Sequence, residues 1–153
     1  AEWQEKWNNS QDYTLELLAL VPEDSLQYKP TEEQKSIRAQ FQHMAGNMFG
    51  LSRRYIADAP EDFDWEATEA RLNDETLDKA ALIQLLKDAH AFANNAVAGL
   101  SPAELGEKVD FFAGPKTRRQ VAWLLHDHAT HHRGQVTVYA RLLGIKPPRY
   151  RGW

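Results

Sequence analysis

Ile37, Phe41, Met44, Met48, Leu51 and Tyr55 recur at alternating steps of four and three residues. That is the period of a helix face buried along its whole length. Such a helix needs facing stripes from other elements, and the chain supplies them. A first helix is expected over about Glu2 to Leu20, with Trp3, Trp7, Leu17 and Val21 in phase and Ser10 and Thr14 as small fillers. A third runs from about Asp74 to Val97, with Leu82, Leu86, Ala89, Ala93, Val97 and Leu100 on one side. Strand-like alternation is almost missing; only Val109-Asp110-Phe111 hints at an extended piece. Four long helices with short or moderate connections predict an all-α fold, a four-helix bundle forming one domain over residues 1–153.

Local punctuation supports these boundaries. Pro22 ends the first helix, and Tyr28-Lys29-Pro30 holds the following loop extended. Thr31-Glu32-Glu33-Gln34 reads as a capping box opening the second helix, and Thr117-Arg118-Arg119-Gln120 as another opening the last. Asp58 to Asn73, with Pro60 and several acids, reads as a surface connection. Gly99 stops the third helix, Ser101-Pro102-Ala103-Glu104 starts a short extra turn, and Gly106 to Lys116 is a loop. Gly144 closes the last helix and Pro147-Pro148 forbid its continuation.

Composition removes several function classes. The chain has 153 residues and no cysteine, so disulfides, thiolate zinc sites and a cysteine nucleophile are excluded. A net charge of −4 argues against a general nucleic-acid binder, which needs a basic face. The longest apolar runs, Leu17–Val21 and Val121–Leu125, are far too short to span a bilayer. The N-terminus shows no signal-peptide pattern. The expectation is a soluble, cytoplasmic protein that binds neither nucleic acid nor membrane.

Four of the six histidines, His126, His128, His131 and His132, fall within seven residues. The last helix's apolar stripe centres among Val121, Leu125, Val136 and Tyr139. At 100° per residue His132 lies almost on that centre and His128 within roughly 45° of it. His126 and His131 fall on opposite flanks, each more than about 100° away. An i, i+4 pair of imidazoles on one face suits a metal ion. The alternative is a pair of core histidines satisfied by hydrogen bonds, with Asp127 pairing with His131 at the surface. No His is followed by Glu, which excludes the H-E-x-x-H metalloprotease motif, and no Glu-x-x-His exists, which excludes a carboxylate di-iron bundle. A third ligand must come from another helix, where His43 and His90 are the remaining histidines. Both lie on flanks of their helices; Gly46 and Gly50 beside His43 would allow a close helix approach.

The segment His128-Ala129-Thr130-His131-His132-Arg133-Gly134-Gln135 resembles the H-x-x-H-H-R-G-Q signature of the DinB/YfiT-like superfamily. Tyr28-Lys29-Pro30, Phe41-Gln42-His43-Met44-Ala45, Thr117-Arg118, Arg141-Leu142-Leu143-Gly144 and Pro147-Pro148 match in order along nearly the whole chain. The resemblance implies a bundle holding one divalent metal through three histidines. Carried over by position, these are His43 on the second helix and His128 and His132 on the last, with His90 a bystander. Some relatives carry Glu four residues after the second-helix histidine; this chain has Asn47, which removes the basis for a general-base role there. Gln135 lies near the stripe and can hydrogen-bond a ligand histidine. Arg133 falls on the flank, suited to an interface or a surface ion pair, and the doublets Arg53-Arg54 and Arg118-Arg119 read as solvated helix-end charges.

Three neutral imidazoles leave a zinc-like ion at least one open position, the arrangement of a catalytic site. Zinc, nickel or another late divalent ion suits histidine. Two reactions follow: hydrolysis, or transfer of a small thiol, which the resemblance makes plausible. With no cysteine in the chain, the thiol would be a low-molecular-weight cosubstrate beside the small-molecule substrate. The rival reading is a non-catalytic, metal-binding dimeric stress-response or binding protein. A homodimer is expected on either reading. Phe49 and Ile56 point away from the second helix's main stripe, Tyr150 and Trp153 form an aromatic tail, and dimers are common in the superfamily that the chain resembles.

Overall fold

The computed structural model describes residues 2–153. Its long helices are α1 (Glu2–Leu20), α2 (Ile37–Leu51), α4 (Lys79–Ala98) and α5 (Arg118–Leu142), with a shorter α3 (Trp65–Asn73) between α2 and α4. α1 and α2 each pack against both α4 and α5, so the four long helices enclose one core. Trp7, Leu17, Phe41, Met44, Met48, Leu82, Leu86, Leu125 and Val136 meet there, all essentially without exposure. Ile37, Phe41, Met44 and Met48 of the expected stripe are thus the buried face of α2, with Leu51 half-buried at its end. No described helix is long and apolar enough to cross a membrane.

Several boundaries differ from expectation, each for a local reason. Thr31 to Gln34 forms only a turn, closed by the Gln34 amide on the Thr31 carbonyl. α2 starts at Ile37, capped by Ser36, whose Oγ accepts from the Ala39 amide at 3.2 Å. The carbonyls of Tyr28 and Leu26 take the amides of Ile37 and Arg38, which holds the helix entrance against the preceding loop. Asp58 to Asn73 is not all surface connection. Asp64 caps α3 through the Ala67 amide, and Trp65, Thr68 and Leu72 are turned inward at helical spacing. α4 begins at Lys79 under the Asp78 cap rather than at Asp74, whose carboxylate instead closes a turn on Thr76.

The connection before α5 holds a small antiparallel ladder of β1 (Lys108–Val109) and β2 (Lys116–Thr117), so the expected loop is partly ordered as strand. The Thr117/Gln120 capping box forms as expected. Gly144 adopts φ 75°, the left-handed geometry that ends a helix at little cost only for glycine.

α2 continues into a π-helical turn over Ser52–Ile56. The wider turn buries both Tyr55 and Ile56, whereas α-helical geometry would send Ile56 away from the stripe. Phe49 meets Phe63, Trp65 and Phe92 in an aromatic cluster. The apolar surplus of α2 is therefore absorbed inside the chain, and Phe49 and Ile56 offer nothing to a dimer. Arg53 stacks 4.0 Å from the Trp65 ring centroid, and Arg118 donates to the Ile56 carbonyl, so neither is merely solvated.

Two buried polar residues depart further from expectation. Arg133 is 4% exposed. Its guanidinium donates to the Ser10 carbonyl, Ser10 Oγ, Thr14 Oγ1 and Thr130 Oγ1, and lies 4.8 Å from the Tyr13 ring centroid. The small residues of α1 are its receptor. His90 on α4 is fully buried against Trp7. Its Nδ1 donates to the Leu86 carbonyl at 2.8 Å, while Nε2 has no partner.

Burial pushes the His90 pKa down to about 4, against the hydrogen bond to Leu86 and with help from Arg133. The unfolded chain then binds a proton that the native state refuses, so stability falls as pH drops from about 6.5 towards 4. Between pH 7 and 5 this one group should cost about 2 kcal/mol. Urea midpoints at the two pH values should converge by about that amount in His90→Leu; an unchanged difference would show that His90 is not the buried acid-sensitive group.

Candidate metal centre

α5 carries His128 and His132 one turn apart, and α2 packs beside it carrying His43. The helix–helix seam brings a ligand nitrogen of each to within 4.8 Å of the others. His43 Nε2 and His128 Nε2 are 3.1 Å apart. Two imidazole nitrogens on one tetrahedral zinc at the usual bond length stand roughly 3.3 Å apart. The donor set and its spacing thus fit a divalent ion, and the three histidines could hold one.

The electrostatics point the same way. Burial lowers the pKa of His43, with the Lys35 ammonium adding to it. His128 is pushed down to about 4, first by burial and then by His43 and His131. His132 is also pushed down to about 4, by burial and then chiefly by His128 and His43. Each ring is therefore neutral at pH 7 and carries the lone pair that a metal needs.

A directed chain of hydrogen bonds fixes His132. Its Nδ1 donates to Gln40 Oε1 at 2.6 Å, which leaves Nε2 as the ligating atom. Gln40 Nε2 donates in turn to Gln135 Oε1 at 2.6 Å and Tyr139 Oη at 3.2 Å. Gln135 Nε2 donates to His131 Nε2 at 2.8 Å. Gln135 thus reaches the ligand set only through Gln40, and the histidine it touches directly is His131, outside the cluster. Gln40 is the residue that sequence reasoning missed. Its signal was a polar side chain three residues before His43, on the flank of α2 that faces α5.

The other histidines stand apart. His131 is exposed, and neither it nor His126, whose pKa is lowered by burial and then by the charges of Lys6 and Arg133, joins the cluster. His90 lies in the core beside Trp7. Asp127 makes no ion pair with His131 among the described residues.

His43 also lines a cleft of about 740 Å³ between α2 and α3, with Lys35, Asn47, Glu69, Leu72 and Asn73. Asn47 Oδ1 is buried without a partner. Leu72 of α3 passes Gly46 at a distance where an added Cβ would make ordinary contact, and nothing lies near Gly50, so these glycines do not serve a tight helix crossing.

Zinc content by elemental analysis should fall to a small fraction of wild type in His128→Ala and stay near wild type in His126→Ala. Gln40→Leu should weaken zinc affinity by about 10- to 100-fold through loss of the ring anchor. Wild-type stoichiometry in His128→Ala would refute the assignment.

Solved structures with this fold exist. A DinB-like protein from Bacillus subtilis matches at TM-score 0.74 and 20% identity, over 98% of this chain and 96% of that one. One from Bacillus cereus matches at TM-score 0.75 and 17% identity, over 97% and 95%. A conserved protein from Enterococcus faecalis matches at TM-score 0.70 and 21% identity, over 92% and 94%. Among curated proteins none matches the chain. The DinB family model covers residues 2–152, nearly everything described above, including all three converging histidines, and the chain belongs to the DinB family.

Proposed function

We propose that this chain is a metal-dependent enzyme that presents a low-molecular-weight thiol to an electrophilic small molecule, with His43, His128 and His132 holding one divalent ion. Zinc and nickel are the candidates, since both suit a set of neutral imidazoles. The observation that carries the reading is a cluster of three histidine nitrogens whose outer member, His43, also lines an open cleft. A structural ion is normally closed by four protein ligands, whereas three with an open side are the mark of a catalytic one. This favours the enzyme over a metal that only pins α2 to α5.

A bound divalent ion supplies a Lewis acid that favours the deprotonated form of a thiol or water. The chain's own residues favour the thiol. No carboxylate joins the cluster among the described residues, and Asn47 cannot accept a proton as a base. A thiol ionises far more readily than water, so it needs that help less. His43, His128 and His132 remain neutral and orient their lone pairs, Gln40 holds His132 in one tautomer, and the cleft beside His43 receives the electrophile. We place the activity in the cytoplasm, where small thiols are kept reduced.

Cobalt-substituted protein should change its visible spectrum when 2-mercaptoethanol is added, and the change should vanish in His128→Ala. Zinc- or nickel-loaded protein should conjugate the same thiol to an aryl halide, with the rate lost on adding a chelator. Ester hydrolysis without conjugation would replace thiol transfer by hydrolysis. Tight metal retention with no spectral change and neither reaction would support the binding role instead.

A further inference from the structure

A second cleft lies where the start of α1, the end of α4 and the first turns of α5 meet the turn around Leu105. Its volume is about 480 Å³, within the range of small-molecule sites. The cleft beside His43 is lined mainly by polar side chains, whereas this one is walled by Trp3, Val97, Leu105, Ala122 and Trp123. The Trp3 ring stacks on the buried Trp7 at 4.9 Å and meets Trp123 edge-to-face at 5.9 Å. Trp123 is 40% exposed, a large indole left partly in water beside an apolar cleft. No histidine lines it. At 100° per residue Arg119 lies about 180° round α5 from His128, and Trp123 about 180° from His132. The cleft is therefore on the side of α5 turned away from the metal centre.

Two donors in this apolar setting select the ligand. Trp3 Nε1 is buried and has no acceptor among the described residues, a state that buried N–H groups rarely keep. Trp7 beside it meets the same demand with the His90 carbonyl at 2.9 Å. Arg119 lines the cleft, is exposed and makes no ion pair among the described residues. Its Nη2 donates to the Pro102 carbonyl at 3.3 Å, which holds the guanidinium at the cleft and leaves Nε and Nη1 free to donate. Glu2 also reaches the cleft, but it is exposed and forms no ion pair with Arg119. A ligand that answers both donors carries a negatively charged acceptor, and the apolar walls call for a hydrocarbon body.

We infer that this cleft binds a small apolar carboxylate, separately from the histidine cluster. The aromatic or aliphatic body lies against Trp3, Val97, Leu105 and Trp123. The carboxylate accepts from the Arg119 guanidinium and from Trp3 Nε1, which it reaches as the exposed Trp123 ring turns aside. The inference does not rest on the proposed chemistry.

Titration of the zinc-loaded full chain with phenylacetate can be followed through its indole N–H signals in proton–nitrogen correlation spectra. Trp3→Phe identifies the Trp3 signal among those of the five tryptophans. That signal should move downfield and saturate with a Kd below about 1 mM. Arg119→Gln should weaken binding about tenfold or more, and uncharged phenylacetamide should bind about tenfold more weakly than the acid. His128→Ala should bind phenylacetate as tightly as wild type. No saturable shift of the Trp3 signal up to about 10 mM would overturn the inference. So would an affinity that Arg119→Gln leaves unchanged, or tighter binding of phenethylamine, which would set a cation against Glu2. Loss of binding in His128→Ala would place the carboxylate on the metal and overturn it as well.

Discussion

The α2–α5 seam is the constraint on which the rest of the molecule depends. A neutral imidazole carries one donor and one acceptor, and three of them in a half-buried cluster are tolerable only if each N–H has somewhere to go. Gln40 meets that demand for His132 and passes the bond on to Gln135 and Tyr139. The arrangement survives only in one register, because sliding one helix past the other by a turn would displace His43 by about 5 Å. The ends of α2 guard that register. The carbonyls of Tyr28 and Leu26 hold its first amides, Arg38 donates to the Leu77 and Glu75 carbonyls, and Arg118 ties the far end at Ile56.

The residue next to His132 shows how one helix addresses two neighbours. Successive side chains leave a helix about 100° apart. His132 therefore looks to α2 while Arg133 looks to α1. Arg133 is a buried cation without a carboxylate, which would be costly if its donors were idle. Ser10, Thr14 and Thr130 take them up, and the Tyr13 ring lies close to the guanidinium. The arginine of the histidine signature thus locks α1 to α5. It is part of the scaffold that holds the cluster, not part of an exposed face.

α3 gives the site its second wall. It is too short to belong to the bundle, but it carries Glu69 and Leu72 opposite the His43 edge of α2. Its docking depends on the aromatic cluster of Phe49, Phe63, Trp65 and Phe92, with Arg53 stacked on Trp65. The apolar surplus of α2 therefore holds α3 in place, and the cleft beside the histidines exists because of it. The C-terminal segment packs on the bundle in a similar way, through Arg151 with Asp12 and Glu16 and through Lys6 beside the Trp153 ring.

The four long helices were legible because their inward positions recur every three or four residues, apolar along α2 and α4 and completed by Ser10 and Thr14 in α1 and by His128 and His132 in α5, and that period is a property of the local chain. The inward pair His128 and His132 was legible for the same reason: two residues on one helix share a face whatever packs against it. α3 was not, since nine mostly polar residues hold too few apolar positions to set a period. The start of α2 was misplaced because Thr31 to Gln34 has capping-box chemistry, yet the long-range bonds from Tyr28 and Leu26 favour Ser36 as the cap. His43 was reached through family resemblance, because its place depends on how two helices are set side by side, and no spacing within one helix encodes that. Gln40, the buried His90 and the buried Arg133 belong to the same class. Sequence by itself determined the helices, their inner faces and the paired imidazoles, all consequences of local geometry. Tertiary structure alone decided which polar side chains were taken out of water and which partners met them there, because burial and hydrogen bonding arise only between helices.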